Sequence, residues 1–212
     1  MGRRARAAEE IEAYRDRIVE IATRLFAERG YAGVTFRSLA DGLACSPMTP
    51  YRYFESKEDI FAAVRRTAYD HFAQIQEAAA AQSADPRERL AALGLAYVRF
   101  GIEETDAYRL MFSLAQPSPS NYPELRDAEL RAWRPLRDAI GAAVAAGVLA
   151  GEPDVLANVF WSGVHGLVSL HVAGKLVYGS DVEHLVEPML LTLLAGNRPR
   201  PTDQPTRTGE SS

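Results

Sequence analysis

The stretch Thr35–Ile60, TFRSLADGLACSPMTPYRYFESKEDI, decides the fold of this chain. It reads as a short helix, a tight turn, a second short helix and the start of a third. Thr35 is placed as an N-cap, because its hydroxyl can accept from the open N–H groups of a first turn. Phe36, Leu39, Ala40 and Leu43 then recur at helical spacing and give one apolar face. Ala40 is small where a crossing helix needs close approach. Ala44 and Cys45 make a short apolar turn. Ser46 caps again, and Pro47 sits where a missing N–H costs nothing. The second helix is expected to reach about Phe54. Pro50 is tolerable only in a first turn, which makes Thr49 the alternative cap. Ser56 caps the third helix, with Glu58 and Asp59 at its positive end.

Such a helix-turn-helix makes sense mainly as a device placed in a DNA groove. Thr49 offers a hydroxyl and a methyl to base edges, and the methyl suits thymine. Tyr51 and Tyr53 set phenolic hydroxyls near phosphate while their rings pack on sugar. Lys57 stands at a helix N-terminus, where an ammonium and open N–H groups can share one phosphate. Arg37 projects from the supporting helix. Thr35, Ser46 and Met48 complete the candidate DNA-contacting set. Arg3, Arg4 and Arg6 form an acid-free arm suited to phosphate or minor-groove contacts. The competing reading is a generic helical hairpin with half-buried tyrosines.

Residues 14–66 resemble the DNA-binding domain of the TetR (tetracycline-repressor-like) family of bacterial transcription regulators. The resemblance rests on IVEIATRLFAERGYAGVTFRSLA, then S-x-x-T-x-YRYF, then SKEDIF, in order. Two positions depart from the family pattern. Ala44 replaces a frequent turn glycine, which is read as harmless. Pro50 replaces a frequent aliphatic and leaves the start of the recognition helix open.

Further along, VFWSGVHGLVSL holds Trp161, His165 and Gly166. It is similar to the pattern of the WHG-type C-terminal domain of some TetR-like regulators, over roughly residues 85–195. Trp161 and His165 are four apart and share a helix face. They are read either as a wall of an inducer pocket or as core, with neither preferred. Tyr97, Phe100, Met111, Phe112 and Trp133 are further pocket candidates, though aromatics at helical spacing are more often core. His165 and His171 are six apart and do not share a face, so no metal site is expected.

The remaining pattern is helical, with no alternating strand. The expected fold is all-α with about nine helices. Residues 1–66 form the helix-turn-helix domain, with 1–8 as a flexible basic arm. Residues 67–196 form a helical ligand-binding and dimerisation domain, and 197–212 a disordered tail. Helices are read over about 9–29 and 57–82, from Pro86, over 108–114, to about Ala146, from Pro153 to Gly174, and from Asp181 onward. Gln116–Tyr122 is the clearest loop. Val155, Val159, Gly163, Gly166 and Leu170 make an apolar stripe with small residues at its centre. Together with Leu185, Met189 and Leu193 it is the candidate homodimer interface.

Net charge is −4 over 212 residues. The first 66 residues hold 12 Lys+Arg and 10 Asp+Glu, and the rest hold 12 and 18. The acidic remainder suits a task other than binding a polyanion. The single cysteine, Cys45, forms no internal disulfide and fits a reducing cytoplasm. No membrane span is expected, on the reading that no charge-free run approaches about 18 residues. No phosphate loop, zinc-spaced set or nucleophile elbow is found, so neither enzyme activity nor a cofactor is expected. The function expected is that of a cytoplasmic repressor. It binds a palindromic operator in double-stranded DNA as a homodimer, and a small, mainly apolar molecule releases it. An activator of the same fold is the alternative, and a non-DNA-binding interaction module the remote one.

Overall fold

The computed structural model describes residues 2–112 and 121–199, with side chains from residue 6 onward except that of residue 7. Every regular element among them is helical. They run α1 (Gly2–Arg29), α2 (Phe36–Gly42), a 3-10 turn (Pro50–Arg52), α3 (Lys57–Ala80), α4 (Pro86–Glu103), α5 (Thr105–Phe112), α6 (Pro123–Ala145), α7 (Pro153–Val172) and α8 (Val182–Gly196). Most of the expected tail and most of the expected loop lie outside the described residues.

The helix boundaries follow local chemistry. Thr35 Oγ1 accepts from the Ser38 N–H, and Ser38 Oγ accepts from the Thr35 N–H, closing a capping box. Ser56 and Asp59 do the same for α3. Asp85 Oδ1 accepts from the Arg87 and Glu88 N–H groups at the start of α4. The Glu88 carboxylate there binds the Ser83 hydroxyl rather than closing a box on Asp85. Gly30, Gly147 and Gly174 follow α1, α6 and α7 with φ of 67°, 68° and 64°, the left-handed stop that glycine adopts without a Cβ clash.

Four expectations are corrected. The helix read as starting near residue 9 starts at Gly2. The recognition helix read as reaching Phe54 is only a 3-10 turn of three residues. Pro50 sits at its first position after Thr49, where its missing N–H costs no intrahelical bond. Ala44, read as harmless, has φ 52° and is the one non-glycine with positive φ among the described residues. Finally, the sequence does contain a long charge-free run: Val155–Gly174 has no Asp, Glu, Lys or Arg. By length and composition α7 could cross a membrane. It also buries Leu156, Ala157, Phe160, Val164, Leu167 and Val168 in a helical core.

The chain divides into two compact units, residues 1–74 with 103–132, and residues 75–102 with 133–212. The expected boundary at residue 66 falls inside α3, which is unbroken. In the first unit Ile18, Ala22 and Phe26 of α1 pack with Val34, Leu39, Ile60, Phe61, Val64 and Leu110. Arg65 is buried beside them. Its guanidinium reaches Glu129 at 2.9 Å and the Met111 carbonyl at 3.4 Å, and burial raises the Glu129 carboxyl above its usual range. In the second unit Leu90, Leu93, Ile140, Ala143, Leu149, Phe160 and Leu194 form the core. Its helices approach closely at glycines. A Cβ on Gly101 would overlap Val168, and one on Gly94 would meet Leu190 at 2.8 Å.

Candidate nucleic-acid interface

Capping at Thr35 and the turn at Ala44–Ser46 carry the chain out to an exposed end. The turn is tied by the Cys45 N–H donating to the Ala40 carbonyl at 3.0 Å and by the Thr49 N–H donating to the Ser46 carbonyl at 2.8 Å. Pro50 is buried and anchors the 3-10 turn, which leaves its neighbours outward. Met48 is 68% exposed and Tyr51 is 51% exposed. The Tyr51 ring lies flat on Phe36, with centroids 3.9 Å apart and planes 9° apart. An aromatic that is stacked on one face and open on the other is held ready for a partner. Thr35, Arg37 and Ser46 are exposed, and Thr49 is half-buried.

Two candidates are placed differently from the rest. Tyr53 is half-buried and stacks on Tyr14 of α1 at 4.6 Å, while its carbonyl accepts from the Arg15 guanidinium. It is a packing residue of this unit. Lys57 is half-buried too, with Nζ donating to the Tyr31 carbonyl at 3.0 Å. Its neighbour Glu58 accepts from the Tyr31 hydroxyl at 2.6 Å. That bond holds the Glu58 carboxyl below its usual range. Burial, helped by Glu58, raises the Tyr31 phenol. Sequence reasoning missed Tyr31, Arg15 and Arg52. Arg52 is exposed in the recognition turn, and its position inside YRYF was the available signal. The partners of Tyr31 and Arg15 are far along the chain, and no local pattern marks them.

The pocket candidates divide between the two units. Met111, buried, and Phe112, half-buried, belong to the first, where Tyr69 donates to the Met111 carbonyl at 3.3 Å. In the second, Tyr97 and Phe100 are buried. The Tyr97 hydroxyl lies 2.9 Å from His165 Nδ1, and the Ser169 hydroxyl 3.3 Å from Nε2. Burial lowers the His165 imidazole below its ordinary value. Trp161 tilts against His165 at 5.2 Å and meets Trp133 edge to face at 6.2 Å. The two tryptophans line an open cleft of about 360 Å³ with Asp154 and Asn158. Among the described residues, no three His, Cys, Asp or Glu side chains are grouped to hold a metal.

Two family models match this chain. Residues 18–64 match the model described as bacterial regulatory proteins, tetR family, and residues 90–193 match the tetracyclin repressor-like C-terminal domain. The chain belongs to the TetR family of transcriptional regulators. The uncharacterized HTH-type regulator Rv1255c of Mycobacterium tuberculosis is 40% identical over 65 residues, spanning 31% of this chain and only 30% of that relative. The HTH-type regulator Rv1816 of the same species is 26% identical over 86% of this chain and 88% of its own. The HTH-type transcriptional repressor KstR2, also of that species, is 32% identical over 43% of this chain and 46% of its own. The TetR-family regulator PfmR of Thermus thermophilus shares the fold, with TM-score 0.67 and 24% identity over 84% of this chain and 97% of its own.

This TetR-family chain leaves one apolar face of its second unit open. Val155, Val159 and Leu170 of α7 are exposed in a row, with half-buried Gly163 and Gly166 between them. A Cβ on Gly166 would meet nothing within 4 Å, whereas one on Gly163 would touch Leu193 at 3.1 Å and Met189 at 3.5 Å. So Gly163 serves α7–α8 packing within the chain. Helix α8 turns Val182, Val186, Leu190 and Leu194 inward and leaves Leu185, Met189 and Leu193 half-buried on the adjoining face.

Proposed function

We propose that this TetR-family chain is a homodimeric, ligand-responsive repressor. It binds a two-fold-symmetric operator in double-stranded DNA and is released by a small, mainly apolar molecule. The observation that carries the reading is the exposed Met48–Tyr51 tip, fixed by the Phe36 stack and the buried Pro50. Large uncharged side chains held rigid in water suit base edges and sugars. Arg37, Arg52 and Lys57 add the phosphate contacts that set register. Repression is favoured by the similarity to KstR2, which is named a repressor.

A two-fold operator calls for two heads, and the open α7 stripe of Val155, Val159, Gly166 and Leu170 suits pairing with a second copy. Leu185, Met189 and Leu193 extend that surface. The second unit supplies the ligand site, with Trp133, Trp161, His165, Tyr97 and Phe100 as its aromatic wall. The ligand acts by binding the DNA-incompetent state more tightly, for which a few kcal/mol suffices. Helix α3 is continuous from the reading unit into the ligand unit and serves as the lever. The chain works in the cytoplasm by binding alone and catalyses nothing.

The test starts from genomic fragments. Those recovered with the purified protein are sequenced, and the enriched site is placed before a reporter. Expression should fall when the protein is present. A rise identifies an activator instead, and no enriched fragment at all sinks the reading.

A further inference from the structure

Lys57 is held in place by its own chain. Its ammonium lies 4.3 Å from the centroid of the Tyr31 ring while it donates to the Tyr31 carbonyl at 3.0 Å. That ring is itself bolted down. It stacks on Phe26 at 5.9 Å with planes 9° apart and meets Phe61 edge-on at 5.0 Å. Both phenylalanines are fully in the core. The ring hydroxyl is tied to Glu58, the residue after Lys57. A line of contacts therefore runs from the core, through one tyrosine, to one surface cation.

We infer that Tyr31 is a positioning residue for the Lys57 phosphate contact, an inference that rests on the DNA-binding reading above. Lysine is a flexible four-carbon stem that loses rotamer freedom when pinned. The ring and the carbonyl of Tyr31 pay that cost before DNA arrives. An ammonium has three donors, and the Tyr31 carbonyl uses one of them. The others can reach a phosphate at the start of α3. Tyr31 itself touches no DNA in this arrangement. Glu58 holds the ring in register with the first turn of α3.

The experiment is a double-mutant cycle on the full chain. Wild type, Tyr31→Leu, Tyr31→Phe, Lys57→Ala and the Tyr31→Leu/Lys57→Ala double variant are titrated against the recovered operator at several salt concentrations. Tyr51→Ala is the control. Lys57→Ala should flatten the salt dependence by about one phosphate. Tyr31→Leu should weaken binding about fivefold and add nothing once Lys57 is gone. Tyr31→Phe keeps the ring and should bind within about twofold of wild type. Losses for Tyr31→Leu and Lys57→Ala that multiply in the double variant overturn the inference. So does an unchanged salt dependence in Lys57→Ala when Tyr51→Ala has lost binding; the DNA reading then stands and only the role of Tyr31 falls. A wild type that enriches no DNA removes both together. If Tyr31→Leu does not fold at the assay temperature, Tyr31→Phe decides. A larger loss there that is repeated in full when Tyr31→Phe is added to Lys57→Ala overturns the proposal.

Discussion

Ala44 carries a left-handed backbone, φ 52°, at the turn between α2 and the reading tip. An L-residue there costs about 1–2 kcal/mol, of which glycine returns part to a looser unfolded chain. Ala44→Gly should therefore stabilise the protein by about 0.5–1 kcal/mol, read as a rise in thermal midpoint; a fall would show that the alanine methyl is packed usefully. Two residues that look alike in the sequence separate cleanly nearby. Tyr51 is open on one face and Tyr53 is stacked on Tyr14. Tyr51→Ala should weaken operator binding about tenfold or more with little change in thermal midpoint, whereas Tyr53→Ala should lower the midpoint. Equal effects on both readouts would undo that division. His165 gives a pH signature. Burial lowers its folded pKa below the ordinary 6.5. Above that value the ring is neutral in both states and its contribution is complete. As pH falls, the unfolded chain takes the proton first and stability is lost until the folded ring also protonates. Wild type should lose stability more steeply than His165→Gln as pH falls below the ordinary 6.5; parallel curves would clear the ring of responsibility.

At the scale of elements, the short 3-10 turn and the glycine contacts share a cause: local backbone chemistry set against close packing. The recognition element stops after the one 3-10 turn Pro50–Arg52, and that turn is held by the burial of Pro50. The reading tip thus depends on caps and one stack rather than on helix length. In the second unit, α4 passes α7 at Gly101 with no room for a methyl beside Val168. Gly101→Ala should cost about 1–3 kcal/mol by overpacking, and a second change, Val168→Ala, should recover part of it. Denaturant midpoints of the single and double variants measure this; simple addition of two losses would mean that the two residues are not in contact. Periodicity made these helices legible, because Phe36, Leu39, Leu43 and Ile18, Ala22, Phe26 recur on single faces. It did not make Gly101 legible, since a glycine inside a helix gives no local sign of what crosses it.

At the scale of the molecule, the open stripe of α7 is the feature that a single chain leaves unexplained. Val155, Val159 and Leu170 remain exposed around Gly166. If a second copy covers them, wild type should sediment as a dimer at micromolar concentration. Gly166→Arg, at a position where a Cβ meets nothing within 4 Å, should sediment as a folded monomer that no longer shifts operator DNA, because an unpaired charge would lie in an apolar seam. A monomeric wild type, or an unchanged dimer in that variant, would move the interface elsewhere. Gly163 is the poorer probe, since substitution there first damages the contact with Leu193 and Met189.

The sequence alone determined the helical class, the capped helices that start after Thr35 and Ser56, and the family, because caps, apolar period and short ordered motifs act between residues a few positions apart. It marked Thr49, Tyr51, Met48 and Lys57 together, since their chemistry sits in one run. What the tertiary structure decided is which of them are turned outward. It set Tyr53 inward on Tyr14, brought Tyr31 under Lys57 across 26 positions, joined Tyr97 to His165 across 68, and placed Met111 and Phe112 in a different unit from the tryptophans. Those arrangements depend on how separate helices cross. Crossing is governed by packing between surfaces that no local stretch of sequence contains.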